Sequence, residues 1–358
     1  VYEAPVRVIV IGAGVMGSAT ALALSRRGVR DVVVLERAVP GAEASSAAAG
    51  MLAAQMESKS AEERARYVRA REEYAGWAAE LRELTGVDVG FRRSGLLALA
   101  DAPSSIEELA LSVQAQQAVG LRAEIVDGAG ARAIEPELAA DTAGGAWFPD
   151  EAQIDPPQLL RALVAAVARS SVVVRSGVTV SSLVEERGAC AGVELDGREV
   201  LRGDAVVLAA GSWSSLVRGV PAAVRPVRPV RGQLVQLEER PPRLTRIMFS
   251  RGGYVVPRGD GRVICGSTME DVGHRREVTA DGVRGILAAA IRIAPALGVA
   301  EMSRAWCNFR PFAEGGAQIG RGPMPGLFLA TGHHRNGILL AKTTADEVAA
   351  AVLGSPQP

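Results

Sequence analysis

The chain has 358 residues, 48% of them hydrophobic, which is too long for one ordinary core and predicts two domains or one elaborated domain. Its 40 basic and 40 acidic residues cancel and no basic tract stands out, which argues against a nucleic-acid partner. Three scattered cysteines (Cys190, Cys265, Cys307) and one adjacent histidine pair exclude a disulfide framework and give no metal-binding spacing. The run Val6-Arg-Val-Ile-Val-Ile-Gly-Ala-Gly-Val-Met-Gly17 then reads as an apolar strand entering a glycine-rich turn and a helix. Asp31-Val-Val-Val-Leu-Glu36 follows as a second strand ending in an acid, which completes a βαβ unit suited to a dinucleotide pyrophosphate. Gly12 permits the tight turn, Gly14 lets backbone approach the phosphates, and Gly17 lets the helix pack close to the sheet. The free N–H groups of the helix start face the phosphates. Glu36 stands 19 residues past Gly17, where an acid binds a ribose hydroxyl pair and disfavours a 2′-phosphate. This unit alone does not separate FAD from NAD.

The small-residue run Ala44-Ser-Ser-Ala-Ala-Ala-Gly-Met51 has two readings. It is either a helix start with Ser45 or Ser46 as N-cap, or a stretch whose backbone lies against a flat ligand. Residues 59–86 read as a long amphipathic helix, 95–100 as a strand and 104–120 as a helix. Gly128-Ala-Gly130 reads as a turn before a helix ending near Pro136. Further on, 157–169 is helical, 172–174 a strand, 191–202 a hairpin, and Asp204 to Gly211 a buried strand returning to the nucleotide-binding sheet. Arg225 to Gly232 reads as a Pro- and Arg-rich crossover, and 233–268 as antiparallel sheet with glycine turns. Helix 281–294, strands 304–309 and 327–330, and a loop from Thr331 to Gly337 entering a helix over Ile338 to Leu353 complete the chain. No apolar window spans a membrane, and the N-terminus, which begins with Val, enters the first strand too soon for a signal peptide, so a soluble cytoplasmic protein is expected. Nucleotide-binding and antiparallel segments are interleaved: an α/β fold with α+β elements, a Rossmann-like domain sharing the chain with an antiparallel-sheet domain.

Several segments together resemble the D-amino acid oxidase-like flavoprotein family, in particular its glycine oxidase branch of the ThiO type linked to thiamine biosynthesis. They are Gly12 to Gly17, Glu36-Arg37, Ala44 to Met51, Val207-Leu-Ala-Ala-Gly-Ser-Trp-Ser214, Tyr254-Val-Val-Pro-Arg258, Gly261 to Thr268, Phe309-Arg-Pro311 and Gly332-His-His-Arg-Asn-Gly-Ile-Leu-Leu340. The resemblance implies non-covalent FAD, an FAD domain over 1–85, 149–222 and 322–358, and a substrate domain over 86–148 and 223–321. It implies cofactor contacts at Gly12, Gly14, Val15, Met16, Gly17, Glu36, Arg37, Ala44, Ser45, Ser46, Ala49, Gly50, Met51, Val178 through its backbone, Gly211, and His333, His334, Arg335, Asn336, Gly337, Ile338 and Leu339. It puts Arg310 on a substrate carboxylate, with Tyr254 and Arg335 nearby, and needs no general base and no metal. A guanidinium fork suits that task because it grips a carboxylate with two parallel hydrogen bonds.

The chemistry so implied is oxidation of glycine or a related small amine, with hydride passing from Cα to flavin N5. The products are an imine, hydrolysed to an oxo acid and ammonia or amine, and hydrogen peroxide from oxygen. The neighbouring expectations are a sarcosine, N-substituted glycine or D-amino acid oxidase or dehydrogenase. From another class comes a dinucleotide-binding protein without oxidase turnover. The partners are a small anionic amine and oxygen, without nucleic acid or membrane, and a homo-oligomer is an option. Two departures from the family pattern, His334 in place of an aromatic residue and the Phe309-Arg-Pro-Phe-Ala run, bear on pocket shape.

Overall fold

The computed structural model describes residues 7–354; Val6, read as the first residue of the opening strand, lies outside them. Six strands form one sheet in the order Gln318–Arg321, Leu327–Thr331, Ala205–Leu208, Arg7–Ile11, Asp31–Glu36 and Val173–Ser176. Every neighbour pair is parallel except the first, which is antiparallel. Alternation along the opening strand explains its unbroken apolar run. Val8 and Val10 face one core with Leu24, Trp77, Leu163 and Val348. Ile9 and Ile11 face a second core with Val193, Val206 and Leu208. A parallel sheet is covered on both faces, so neither set of side chains is polar. Helices Val15–Arg26, Ala61–Thr85, Pro156–Ala168 and Ala341–Val352 supply the first cover. A three-stranded sheet, Val180–Glu186, Ala189–Leu195 and Val200–Arg202, supplies the second.

An eight-stranded sheet runs in the order Glu301–Ala313, Val227–Glu238, Arg262–Gly266, Gly253–Pro257, Ile247–Ser250, Leu96–Leu99, Gly144–Phe148 and Glu124–Asp127. It is antiparallel apart from the pairing of Ile247–Ser250 with Leu96–Leu99. Val235, Val255 and Cys265 pack under helix Ala280–Ile293. Their neighbours Leu234, Tyr254 and Ile264 point the other way, toward Ala49 and Ala53 of the small-residue run. The period-2 alternation of a strand thus delivers Tyr254 to the face that meets the nucleotide-binding unit.

Four local readings change. Gly128 and Gly130 lie inside helix Gly128–Ile134, whose N-cap Asp127 accepts a hydrogen bond from Gly130 N at 2.7 Å. The Pro- and Arg-rich crossover is instead the first half of strand Val227–Glu238. Its pairing with Arg262–Gly266 begins only at Leu234, so Pro229 sits where one side of the strand has no ladder to donate to. Neither Ser45 nor Ser46 is an N-cap: helix Ala44–Ala47 follows Glu43, which makes no side-chain cap bond. Strand Gln318–Arg321 belongs to the six-stranded sheet, ahead of the boundary expected at 322. Among the described residues no helix is long and apolar enough to cross a membrane. No cluster of three or more His, Cys, Asp or Glu among them is placed to hold a metal.

Candidate active site

A cavity of about 630 Å³ runs between the two large sheets, from Val178 and Arg218 at one end to Tyr254, Arg310 and Arg335 at the other. Its middle is built by the glycine turn. Gly12 has φ +98°, and a Cβ there would stand 2.7 Å from the Ala209 carbonyl oxygen. A Cβ on Gly17 would fall 1.8 Å from the Gly12 oxygen, so this glycine sets the helix-to-strand approach from behind the cavity wall. Gly14 is the N-cap of helix Val15–Arg26, and Val15 N donates to Ser45 Oγ at 3.0 Å. That bond ties the small-residue run to the helix start, where backbone N–H groups and the dipole favour an anion.

Glu36 ends the second strand and is 9% exposed. Its Oε2 accepts from Ala13 N at 2.9 Å and its Oε1 from Ala38 N at 3.0 Å. Each oxygen is oriented by one backbone bond, which leaves acceptor capacity for a hydroxyl pair. Val178 N donates to the Glu36 carbonyl at 3.0 Å, so backbone lines the wall beside the acid. Arg37 stacks its guanidinium 3.8 Å from the centre of the Trp213 ring and pairs with Glu43 at 2.6 Å.

The run from Ala44 to Met51 is clamped by the other sheet. Trp306 Nε1 donates to Ala47 O at 3.0 Å. Arg258 donates to Ala49 O, and at 2.8 Å to Ile154 O. Burial lowers the Arg258 pKa to about 10. Gly50 has φ +77°, with Ile154 O only 2.1 Å from where a Cβ would be. Ala44, Ser45, Ala49, Gly50 and Met51 all reach the cavity wall.

At the far end, Arg310 projects from strand Glu301–Ala313 and is half-buried, with the cavity on its open side. Its Nη1 donates to Thr268 O at 3.1 Å and its Nη2 to Ser267 Oγ at 2.8 Å. Among the described residues no carboxylate lies within ion-pairing distance of it, and desolvation lowers its pKa. A Cβ at Gly232 would stand 2.2 Å from Nη1, so that glycine makes the room. Gly266 does the same for Tyr254, whose hydroxyl neighbours Arg310 and Ser267. Burial raises the Tyr254 pKa, partly offset by the Arg310 charge.

The loop after strand Leu327–Thr331 closes the wall. His333 is buried, with Nε2 3.0 Å from Thr344 Oγ1, and burial lowers its pKa to about 3. His334, at φ +49°, sits edge-on to Phe312 with ring centres 5.1 Å apart, and burial followed by the Arg310 charge lowers its pKa to about 4. Neither ring is charged near neutral pH. Arg335 pairs through Nη2 with Glu57 Oε1 at 2.8 Å. Gly211, Gly337 and Ile338 line the cavity. Four expected cofactor residues do not. Gly17 lies behind the turn, and Ser46 Oγ donates to Glu43 O at 3.3 Å. Asn336 donates to the Tyr67 hydroxyl at 3.0 Å, and Leu339 is buried in the core. Cys307 is buried and also stands off the cavity wall.

Glu57 and Ser267 are cavity residues that sequence reasoning missed. Ser267 was reachable, since it lies next to last in the Gly261–Thr268 string that carries the family resemblance. Glu57 had no local signal, because its partner lies in a distant loop.

The cavity fits an extended dinucleotide: a glycine cradle in the middle, an acid toward one end, and Tyr254, Arg310 and Arg335 at the other. A nucleotide cleft facing a cation-bearing antiparallel sheet defines a dinucleotide-binding protein with room for a small anionic ligand beside the nucleotide. The FAD dependent oxidoreductase (DAO) family model matches residues 7–351, and the chain belongs to that family. It is 35% identical over 96% of its length to the bifunctional protein ThiO/ThiG of Nostoc sp., of which the match covers 52%. The chain thus spans about half the length of that relative. It is 33% identical to the glycine oxidase of Geobacillus kaustophilus, over 94% of this chain and 90% of that one. The crystal structure of glycine oxidase from Geobacillus kaustophilus superposes with a TM-score of 0.91 at 32% identity, covering 98% of this chain and 95% of the other.

Proposed function

We propose that this chain is an FAD-dependent oxidase of glycine or a closely related small amino acid or secondary amine, producing an imine and hydrogen peroxide. The observation that carries the reading is Arg310: a guanidinium on the cavity wall, held by two neutral oxygens and without a carboxylate in ion-pairing distance among the described residues. Leaving a partly desolvated cation without a counter-charge is unfavourable, and a substrate carboxylate supplies one. The likeness to glycine oxidases over nearly the whole chain supports the same substrate class.

The flavin, when bound, supplies two-electron oxidation of a carbon–nitrogen bond and reoxidation by oxygen. Gly12, Gly14 and Val15 would hold the pyrophosphate and Glu36 the ribose hydroxyls. The backbone of Ala49 to Met51 and of His333 to Arg335, Gly337 and Ile338 would flank the ring system. Arg310 binds the substrate carboxylate and Tyr254 donates its hydroxyl to it, so Cα is fixed in both position and rotation. Met51, Leu234 and Tyr254 keep bulk water away from that point. Burial keeps His333 and His334 neutral near pH 7, so neither adds charge beside the substrate.

The test is anaerobic mixing of the FAD-loaded protein with glycine, sarcosine, N-alkylglycines and D-alanine, followed by air. Bleaching of the flavin bands, then peroxide and an oxo acid, is expected with the smallest of these. Absence of bleaching with every one of them overturns the reading.

A further inference from the structure

Two guanidinium groups reach the substrate end of the cavity, yet only one of them is unmatched. Arg310 has neutral partners. Arg335 is ion-paired with Glu57 at 2.8 Å, the carboxylate side chain being 12% exposed and the guanidinium side chain 32%. All three side chains line the cavity. Of the charged side chains lining this end of the cavity, Glu57 offsets one guanidinium and leaves one net positive charge, the complement of a single carboxylate.

The position of Glu57 is built. The three preceding residues hand their backbone N–H groups to one carboxylate: Ala54 N, Gln55 N and Met56 N donate to Glu151 at 2.9, 2.6 and 3.1 Å. Glu151 is fully buried and paired with the buried Arg71 at 3.0 Å. Gln55 is held in turn by Arg71 Nη1 and by its own bonds to Gln116 and the Arg122 carbonyl. Glu57 therefore leaves a fixed turn rather than a floppy one, and its carboxylate is delivered to Arg335.

We infer that Glu57 is a specificity-determining residue: by neutralising Arg335 it restricts the site to amines carrying one carboxylate and turns away those bearing a second anionic group. The inference rests on Arg310 being the substrate carboxylate clamp. A second carboxylate extending from the amine would meet Glu57, a like charge, and could recruit Arg335 only by displacing a carboxylate already bonded to it. This is discrimination by an added repulsive element as well as by a fitted attractive one. Glu57→Gln keeps the shape, removes the charge and releases Arg335.

The experiment compares glycine with iminodiacetate, which is glycine with a second carboxymethyl arm, on flavin-loaded wild type, Glu57→Gln and the double variant Glu57→Gln/Arg335→Met. The iminodiacetate-to-glycine ratio of kcat/KM is expected to rise about tenfold or more in Glu57→Gln and to fall back in the double variant. A ratio unchanged in Glu57→Gln, or a rise that survives loss of Arg335, overturns the inference. The wild-type holoenzyme gives a second test that needs no variant to fold. Titrated by its flavin spectrum at constant ionic strength, it is expected to bind acetate more tightly than malonate, and equal or reversed affinities overturn the inference. If wild type oxidises no glycine-type amine, the reading of function fails. If it does and the ratio stays flat, only the role of Glu57 fails.

Discussion

Arg310 and His333 show how environment decides what a side chain does. An arginine at position 310 is one of 40 basic residues, and it is singled out because its strand carries it to a cavity where Gly232 leaves room and no carboxylate among the described residues pairs with it. Arg310→Ala is expected to retain flavin and to lower kcat/KM for glycine by about 100-fold, since truncating one partner of a hydrogen-bonded charge pair costs roughly 2–5 kcal/mol. Steady-state kinetics with the flavin spectrum as a loading control checks this. His333 goes the other way: it sits in a Gly-flanked loop at the cavity wall, and its ring is held by Thr344 inside the core. Its pKa falls from 6.5 to about 3 because burial disfavours the charged ring. In the unfolded chain it protonates near its ordinary value. The stability it contributes is therefore complete above about pH 6.5 and is lost progressively as pH falls toward 3. His333→Gln is expected to flatten the decline of the urea midpoint between pH 6 and 4.

The same contrast appears in whole segments. The opening strand, glycine turn and helix were legible because every requirement is local: apolar alternation, a glycine where φ is positive, and an acid at the end of the next strand. The run from Ala44 to Met51 was not, since its small residues suit both a helix start and a ligand-facing backbone. In the structure Ala44–Ala47 is a helical turn and the chain is extended from Ala48, with donors from the far sheet, Trp306 on the Ala47 carbonyl and Arg258 on the Ala49 carbonyl, holding the run beside the cavity. Arg258→Met removes the donors to Ala49, Ile154 and Gln153 and leaves buried acceptors unsatisfied, at a cost of about 1–3 kcal/mol each. The expected result is a lower Tm and flavin release about tenfold faster, read by the recovery of free-flavin fluorescence on dilution. The crossover misread at Arg225 to Gly232 has a similar origin, because proline discourages a strand unless one edge is free, and edges are not visible locally.

Across the molecule, the cavity lies where the two large sheets face each other, so a ligand filling it touches elements from both. A cofactor that binds only the folded state stabilises it by mass action, about 2.7 kcal/mol at a free concentration 100 times Kd. Saturating FAD is accordingly expected to raise Tm by about 5 °C in a scan of stripped against reconstituted protein, and an unchanged Tm would count against cofactor binding in the folded chain. The buried Arg71 and Glu151 pair belongs to this scale as well. It joins helix Ala61–Thr85 to the turn after strand Gly144–Phe148 and to the turn that carries Glu57.

Taken alone, the amino-acid order determined the dinucleotide unit, the interleaving of two kinds of sheet, the family resemblance and the candidate arginine. The first two depend on periodicity, glycine geometry and spacing, all written within short windows, whereas the arginine was marked only by the resemblance. Only the tertiary structure decided that Arg335 is neutralised by Glu57, that Asn336 and Leu339 stand off the cavity wall, and that a carboxylate at Glu151 gathers three consecutive backbone N–H groups. Those outcomes hinge on partners far apart in the chain, and long-range pairing of charges and hydrogen bonds leaves no pattern in the local sequence.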